Sequence, residues 1–116
     1  MVVKAGRDVP VPGTLRAQVT LKLSDLVLEQ KGGRHVGELD LVFVQQAARD
    51  QPSHAVGEHI SVSLNEDEYK KAMEFGLVRT RDLEMSEAGY YLRVVVRDAS
   101  TGSLGSVNVW TLNLPR

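Results

Sequence analysis

The sequence predicts an all-β domain: an Ig-like or fibronectin-III-like antiparallel sandwich of about seven strands with one short crossover helix. Three observations carry this. Leu15 to Leu23 alternates without a fault, with Leu15, Ala17, Val19, Leu21 and Leu23 in one phase and Arg16, Gln18, Thr20 and Lys22 in the other. Tyr90 to Asp98, the turn through Gly102, and the stretch from Ser106 read as strand, turn and returning strand. Between them, short apolar-alternating runs recur with Gly and polar punctuation. Period 2 with one apolar face marks a strand half-buried against a second layer.

The elements follow in order. Residues 1–14 read as a linker or N-terminal extension, because Pro10, Pro12 and Gly13 hold the backbone extended and remove a donor at each proline. The sandwich domain is expected over 15–116. Leu26 to Leu28 begins a short second strand. Lys31-Gly32-Gly33-Arg34 is a hairpin turn, since glycine supplies positive φ. Glu38 to Gln45 returns with Leu39, Leu41 and Phe43 inward, and Val42 and Val44 make its outer face apolar too. Ala47 to Gly57 reads as a polar loop, and His59 to Leu64 as a strand.

Asn65 starts a helix, with Glu68 completing a capping box and Gly76 at the C-terminal stop. Tyr69, Ala72, Met73 and Phe75 form its apolar stripe. Leu77 to Met85 is a strand whose two phases disagree, so a bulge is expected near Arg81-Asp82. Tyr90, directly after Gly89, has the placement of a tyrosine corner. In the strand it opens, Leu92, Val94 and Val96 share one face and Tyr91, Arg93, Val95 and Arg97 the other. The last strand, from Ser106, has Val107 and Val109 in one phase and Trp110, Leu112 and Leu114 in the other, which leaves its register open.

Composition bounds the function. The chain has 116 residues, enough for one domain that buries roughly two-thirds of its unfolded surface. Its net charge of -1 gives no electrostatic footprint for nucleic acid. It contains no cysteine, which excludes disulfides, thiolate metal sites and cysteine nucleophiles. No apolar run reaches the ~20 residues of a membrane helix. Met1 to Arg7 lacks the apolar core of a signal peptide, so the chain is expected to be either cytoplasmic or a domain of a longer exported protein.

Several segments carry a resemblance. Gly89-Tyr90-x-Leu92-Arg93-Val94-x-Val96-Arg97-Asp98, followed by Thr101-Gly102-x-x-Gly105-Ser106-Val107, is similar to the closing region of bacterial von Willebrand factor A-related proteins of the Acidobacteria type. Leu39-Asp40-Leu41-Val42-Phe43-Val44 and the capped helix at Glu66-Asp67-Glu68-Tyr69 resemble the same region. The resemblance implies an accessory sandwich following an A domain in a secreted, periplasmic or envelope protein. It implies no activity. The A domain itself is missing, and Asp98-Ala99-Ser100-Thr101-Gly102 departs from its Asp-x-Ser-x-Ser metal motif at Gly102, so a structural turn is expected there.

The residues offer little chemistry. His35, His54 and His59 are scattered, without ligand spacing on one element. No serine sits in a Gly-x-Ser-x-Gly elbow, and the glycines around Ser103 lie between strands rather than before a helix. Asp67/Glu68 is explained by capping; Asp82/Glu84 sits on an outer strand face. No catalytic set, metal site or cofactor is expected. Arg79, Arg81, Arg93 and Arg97, with Tyr91, would form a basic ladder on one outer face if their two strands paired as a hairpin. Asn65, Gly76, Gly89, Tyr90 and Gly102 are expected to be structural. The expected function is a non-catalytic structural or protein-interaction module whose partner is a neighbouring A domain or a surface protein. The alternative is a carbohydrate-binding module using Tyr69, Tyr91 or Trp110, and edge-strand pairing offers a route to a homodimer.

Overall fold

The computed structural model describes residues 1–8, 10–46, 54–85 and 91–110. It is an all-β sandwich of two antiparallel sheets. The first sheet has three strands, β1 (Val2–Arg7), β2 (Thr14–Leu21) and β6 (Leu77–Glu84), in the order β1-β2-β6. The second has five: β3 (Glu29–Lys31), β4 (Arg34–Gln46), β5 (His54–Leu64), β7 (Tyr91–Asp98) and β8 (Leu104–Trp110). β4 is its spine. One edge of β4 pairs with β5 along its length; the other takes β3 at residues 34–36 and β7 at residues 39–46. β8 closes that side by pairing with β7.

The core lies where the alternation places it. Leu15, Ala17, Val19 and Leu21 of β2 and Leu83 of β6 face Leu39, Leu41 and Phe43 of β4, Leu92 and Val94 of β7 and Val62 of β5, and all are buried. Each large side chain taken from water contributes about 1.5–3 kcal/mol. This one packed layer therefore holds the sheets together without a disulfide. The register of β8 is set by Val107 opposite Val94 and Val109 opposite Leu92, so the two valines face inward and Trp110 faces out.

The segment read as an N-terminal extension is instead partly a strand. Val2–Arg7 pairs with β2 over its whole length and packs Val3 and Ala5 against the core. The prolines sit in the loop joining the two strands, where no ladder donor is needed. That loop is closed by Asp8, at φ 58, whose side chain accepts the N–H of Gly13 at 3.0 Å. The short second strand lies a little later than expected. Leu26 to Leu28 is irregular, with Leu28 lying over Gly37, and pairing begins at Glu29. The β3–β4 turn is as read: Gly32 and Gly33 have φ 57 and 76, the positive pair a two-residue hairpin requires. β5 begins at His54, so the strand takes in the end of the segment read as a polar loop, whose residues 47–53 lie outside the described residues.

Helix α1 (Glu66–Phe75) crosses from β5 in one sheet to β6 in the other. Asn65 accepts the Glu68 N–H, and the Glu68 carboxylate accepts the Asn65 N–H, completing the capping box. Ala72 is buried, while Met73 and Phe75 are exposed, so the stripe is narrower than its pattern. Gly76 has φ 82 but an extended ψ of 173, which turns the chain straight into β6.

β6 carries no bulge. Its pairing with β2 is continuous from Leu77 opposite Leu21 to Glu84 opposite Thr14. Its inward phase contains Arg79 and Arg81, which is why the apolar pattern fails. Gly89 and Tyr90, and with them the tyrosine corner, lie outside the described residues, as do Leu112 and Leu114. No helix among the described residues is long and apolar enough to cross a membrane.

Candidate functional site

The expected arginine ladder does not form. β6 and β7 lie in different sheets, because consecutive strands of a sandwich often cross between layers. Arg79 and Arg81 turn inward at the sandwich edge and bridge to Glu58 of β5, whose side chain is only 9% exposed. Arg79 donates directly to a Glu58 carboxylate oxygen, and Arg81 lies 3.5 Å from the other. These three residues tie the two sheets at their β5/β6 side.

Tyr91, Arg93 and Arg97 do share a surface, the outer face of the five-stranded sheet. The pairing register orders that face into rows. At one end Tyr91 lies opposite Trp110, the rings meeting edge to face with centroids 5.8 Å apart. In the next row Arg93 donates from Nε to Asn108 Oδ1 at 3.0 Å. In the middle, Val95, Val42 and Gly57 lie side by side across β7, β4 and β5. They floor a shallow hollow bounded by Leu104, Arg97, Asp40 and His59. Leu104 and Trp110 are 67% and 69% exposed.

The far end holds an ionic cluster. Register places Arg97 and His59 on either side of Asp40, and Ser61 opposite Glu38. His59 Nδ1 lies 2.7 Å from Asp40 Oδ1, and His59 Nε2 contacts Glu38 Oε2. Ser61 donates its hydroxyl to the same Glu38 oxygen at 2.9 Å, and Arg97 Nη1 is 3.6 Å from Asp40. Both ring nitrogens face carboxylate oxygens, and only the imidazolium can donate at both. The hydrogen bond to Asp40, then that to Glu38, accordingly raises the His59 pKa. The Ser61 hydroxyl, then His59, lowers that of Glu38. This cluster combines residues of three strands that look unrelated in sequence. Its only signal is the matched spacing of Glu38-x-Asp40 and His59-x-Ser61 in strands that form one hairpin.

His35 and Asp98 tie elements of the fold together. His35 is buried, stacks on Tyr69 with centroids 3.6 Å apart, and contacts Glu66 at 2.7 Å, fastening β4 to α1. Asp98 is buried and accepts three donors: the Ser100 hydroxyl at 2.7 Å, the Ser100 N–H at 2.9 Å and the Val27 N–H at 2.8 Å. The Ser100 hydroxyl, followed by the Val27 N–H, holds its pKa below the ordinary carboxylate range. Gly102, at φ 74, returns its N–H to the Asp98 carbonyl at 2.7 Å, so this loop is a closed hairpin turn. Among the described residues no three His, Cys, Asp or Glu side chains are grouped to hold a metal ion.

Fold and surface thus describe an all-β sandwich with one strongly featured outer face. No family model matches the chain, and no curated protein or solved structure matches it.

Proposed function

We propose that this domain is a non-catalytic protein-interaction module and that the outer face of its five-stranded sheet is the contact surface. The observation that carries the reading is the composition of that face. An apolar centre of Val42 and Val95 is flanked by an exposed Trp, a Tyr and two Arg. Trp, Tyr and Arg around an apolar centre are the residue types that dominate binding energy at protein interfaces. The outer face of the three-stranded sheet has a more polar character, with Lys4, Arg16, Gln18, Thr80 and Asp82 along its rows and the exposed Val2 and Val78 together at one end.

The resemblance to von Willebrand A-related proteins supplies the setting of this proposal. The module is an accessory domain of an exported chain, and its partner is the neighbouring A domain or a surface protein. A carbohydrate-binding role draws on the exposed Trp110 alone. Tyr69 is covered by His35, and Tyr91 meets Trp110 at an interplanar angle of 67° rather than extending one flat platform.

The test is co-purification from the source cells with the Arg93→Glu domain, set against a Gln18→Glu control on the opposite sheet. Loss of partners from the first and retention by the second is expected. Equal retention by both removes the outer face from consideration. Trp110 emission that shifts with a glycan panel would favour the carbohydrate reading.

A further inference from the structure

We propose that β8 is a pairing edge for a second copy of this chain, the two strands running antiparallel about a two-fold axis at Val107. The first observation is the character of the edges. Natural sheets guard open edges with charged or inward-pointing polar residues. β1 carries Lys4 and Arg7, β3 carries Glu29 and Lys31, β5 turns Glu58 inward, and β6 carries Arg79, Arg81, Asp82 and Glu84. β8, with the sequence Leu-Gly-Ser-Val-Asn-Val-Trp, has no charge, no proline and an unbroken register with β7.

The second observation is which backbone groups the edge presents. The Asp98 N–H donates to the Ser103 carbonyl at 2.9 Å, which makes Asp98 and Ser103 a hydrogen-bonded pair of the antiparallel ladder. Such pairs alternate along the strand. Gly105, Val107 and Val109 therefore turn their N–H and C=O towards β7. Leu104, Ser106, Asn108 and Trp110 turn theirs to the open side.

The third observation is that the strand is complementary to itself in one register. Antiparallel pairing centred on Val107 sets Leu104 opposite Trp110 of the second copy and Ser106 opposite Asn108, each twice by symmetry. These are the residues whose backbone groups are open, so every donor and acceptor of the edge finds a partner. Leu104 and Trp110, the exposed large apolar residues of β8, cover one another on the outer face. Ser106 and Asn108 meet as a polar pair, and Val107 meets its own copy at a closely spaced, non-hydrogen-bonded position. No like charges are opposed. A two-fold contact of this kind closes on itself and does not propagate.

The test uses sedimentation together with single-cysteine crosslinking, for which the chain is suited because it has no cysteine. The contact is one strand pair, in the small transient class, so the wild-type mass should double from 12.8 kDa with a midpoint on the order of 100 μM. Ser106→Pro removes an N–H from the open edge and none from the β7 ladder, so the folded variant should associate at least about tenfold more weakly. Under mild oxidation Val107→Cys should form a covalent dimer about tenfold faster than Ser106→Cys or Asn108→Cys, because only position 107 meets itself at disulfide distance. A wild-type chain still monomeric at about 1 mM, or equal crosslinking at the three positions, overturns the proposal.

Discussion

Replacing Asp98 by Ala should detach the irregular segment before β3 from the end of the sandwich. The buried carboxylate gathers the Val27 N–H and both donors of Ser100. Ser100 is exposed, so water replaces the lost partner at small cost. The Val27 N–H sits in a part-buried bond, and a buried donor left without an acceptor costs about 1–3 kcal/mol. The sum is about 2 kcal/mol, equivalent to a fall in Tm of about 8 °C for a domain of this size. Asp98→Asn keeps one acceptor oxygen and should lose about half as much. The dependence on pH has a definite sign. The folded pKa of Asp98 is depressed, chiefly by the Ser100 hydroxyl and then by the Val27 N–H. Its stabilisation is therefore present above the unfolded value of about 4 and is lost as pH falls through the folded pKa. Urea melts of the wild-type and Asp98→Asn proteins should differ at pH 7 and converge in acid. A gap that stays constant into acid, or an Asp98→Ala variant as stable as wild type, would refute this reasoning.

Two further perturbations test the fold and the cluster. Gly76→Ala places a Cβ 2.9 Å from the Leu21 carbonyl oxygen and 2.9 Å from Thr20 Cγ2, at a φ of 82 that disfavours any side chain. It should cost about 2 kcal/mol or more by thermal melting, whereas Gly57→Ala, with open space at the Cβ position, should be near neutral. The His59 proton-NMR midpoint should lie above the ordinary 6.5, and Asp40→Asn should lower it more than Glu38→Gln does. With the His59 pKa raised and that of Glu38 lowered, the cluster stabilises the fold between the ordinary carboxylate and imidazole ranges, losing its contribution as pH rises through the His59 midpoint and again as pH falls through that of Glu38.

The sequence makes the inner layer readable because burial of one face imposes strict alternation. Leu15 to Leu21, Leu39 to Phe43 and Leu92 to Val96 declare themselves in this way. The helix declares itself through local chemistry, since Asn65 and Glu68 need only each other. The pattern fails where a polar residue on the inner phase is matched from far along the chain. Arg79 and Arg81 look like outer-face residues until Glu58 is placed between the sheets. β1 is hidden for a related reason. A six-residue edge strand needs few apolar residues, and the prolines after it resemble a linker while forming a loop. The candidate surface was half legible. Tyr91, Arg93 and Arg97 share a face by alternation alone. The row that joins Arg97 to Asp40 and His59 exists only in the register of three strands.

The most direct test of the central claim is site-specific photocrosslinking in the source cells. A photoreactive residue at Val95, at the apolar centre of the outer face of the five-stranded sheet, is compared with one at Gln18, on the opposite sheet. The account predicts heterologous adducts at Val95, in the middle of the proposed contact surface, and none at Gln18. Adducts concentrated at Gln18 would place the working surface on the other sheet and contradict the account.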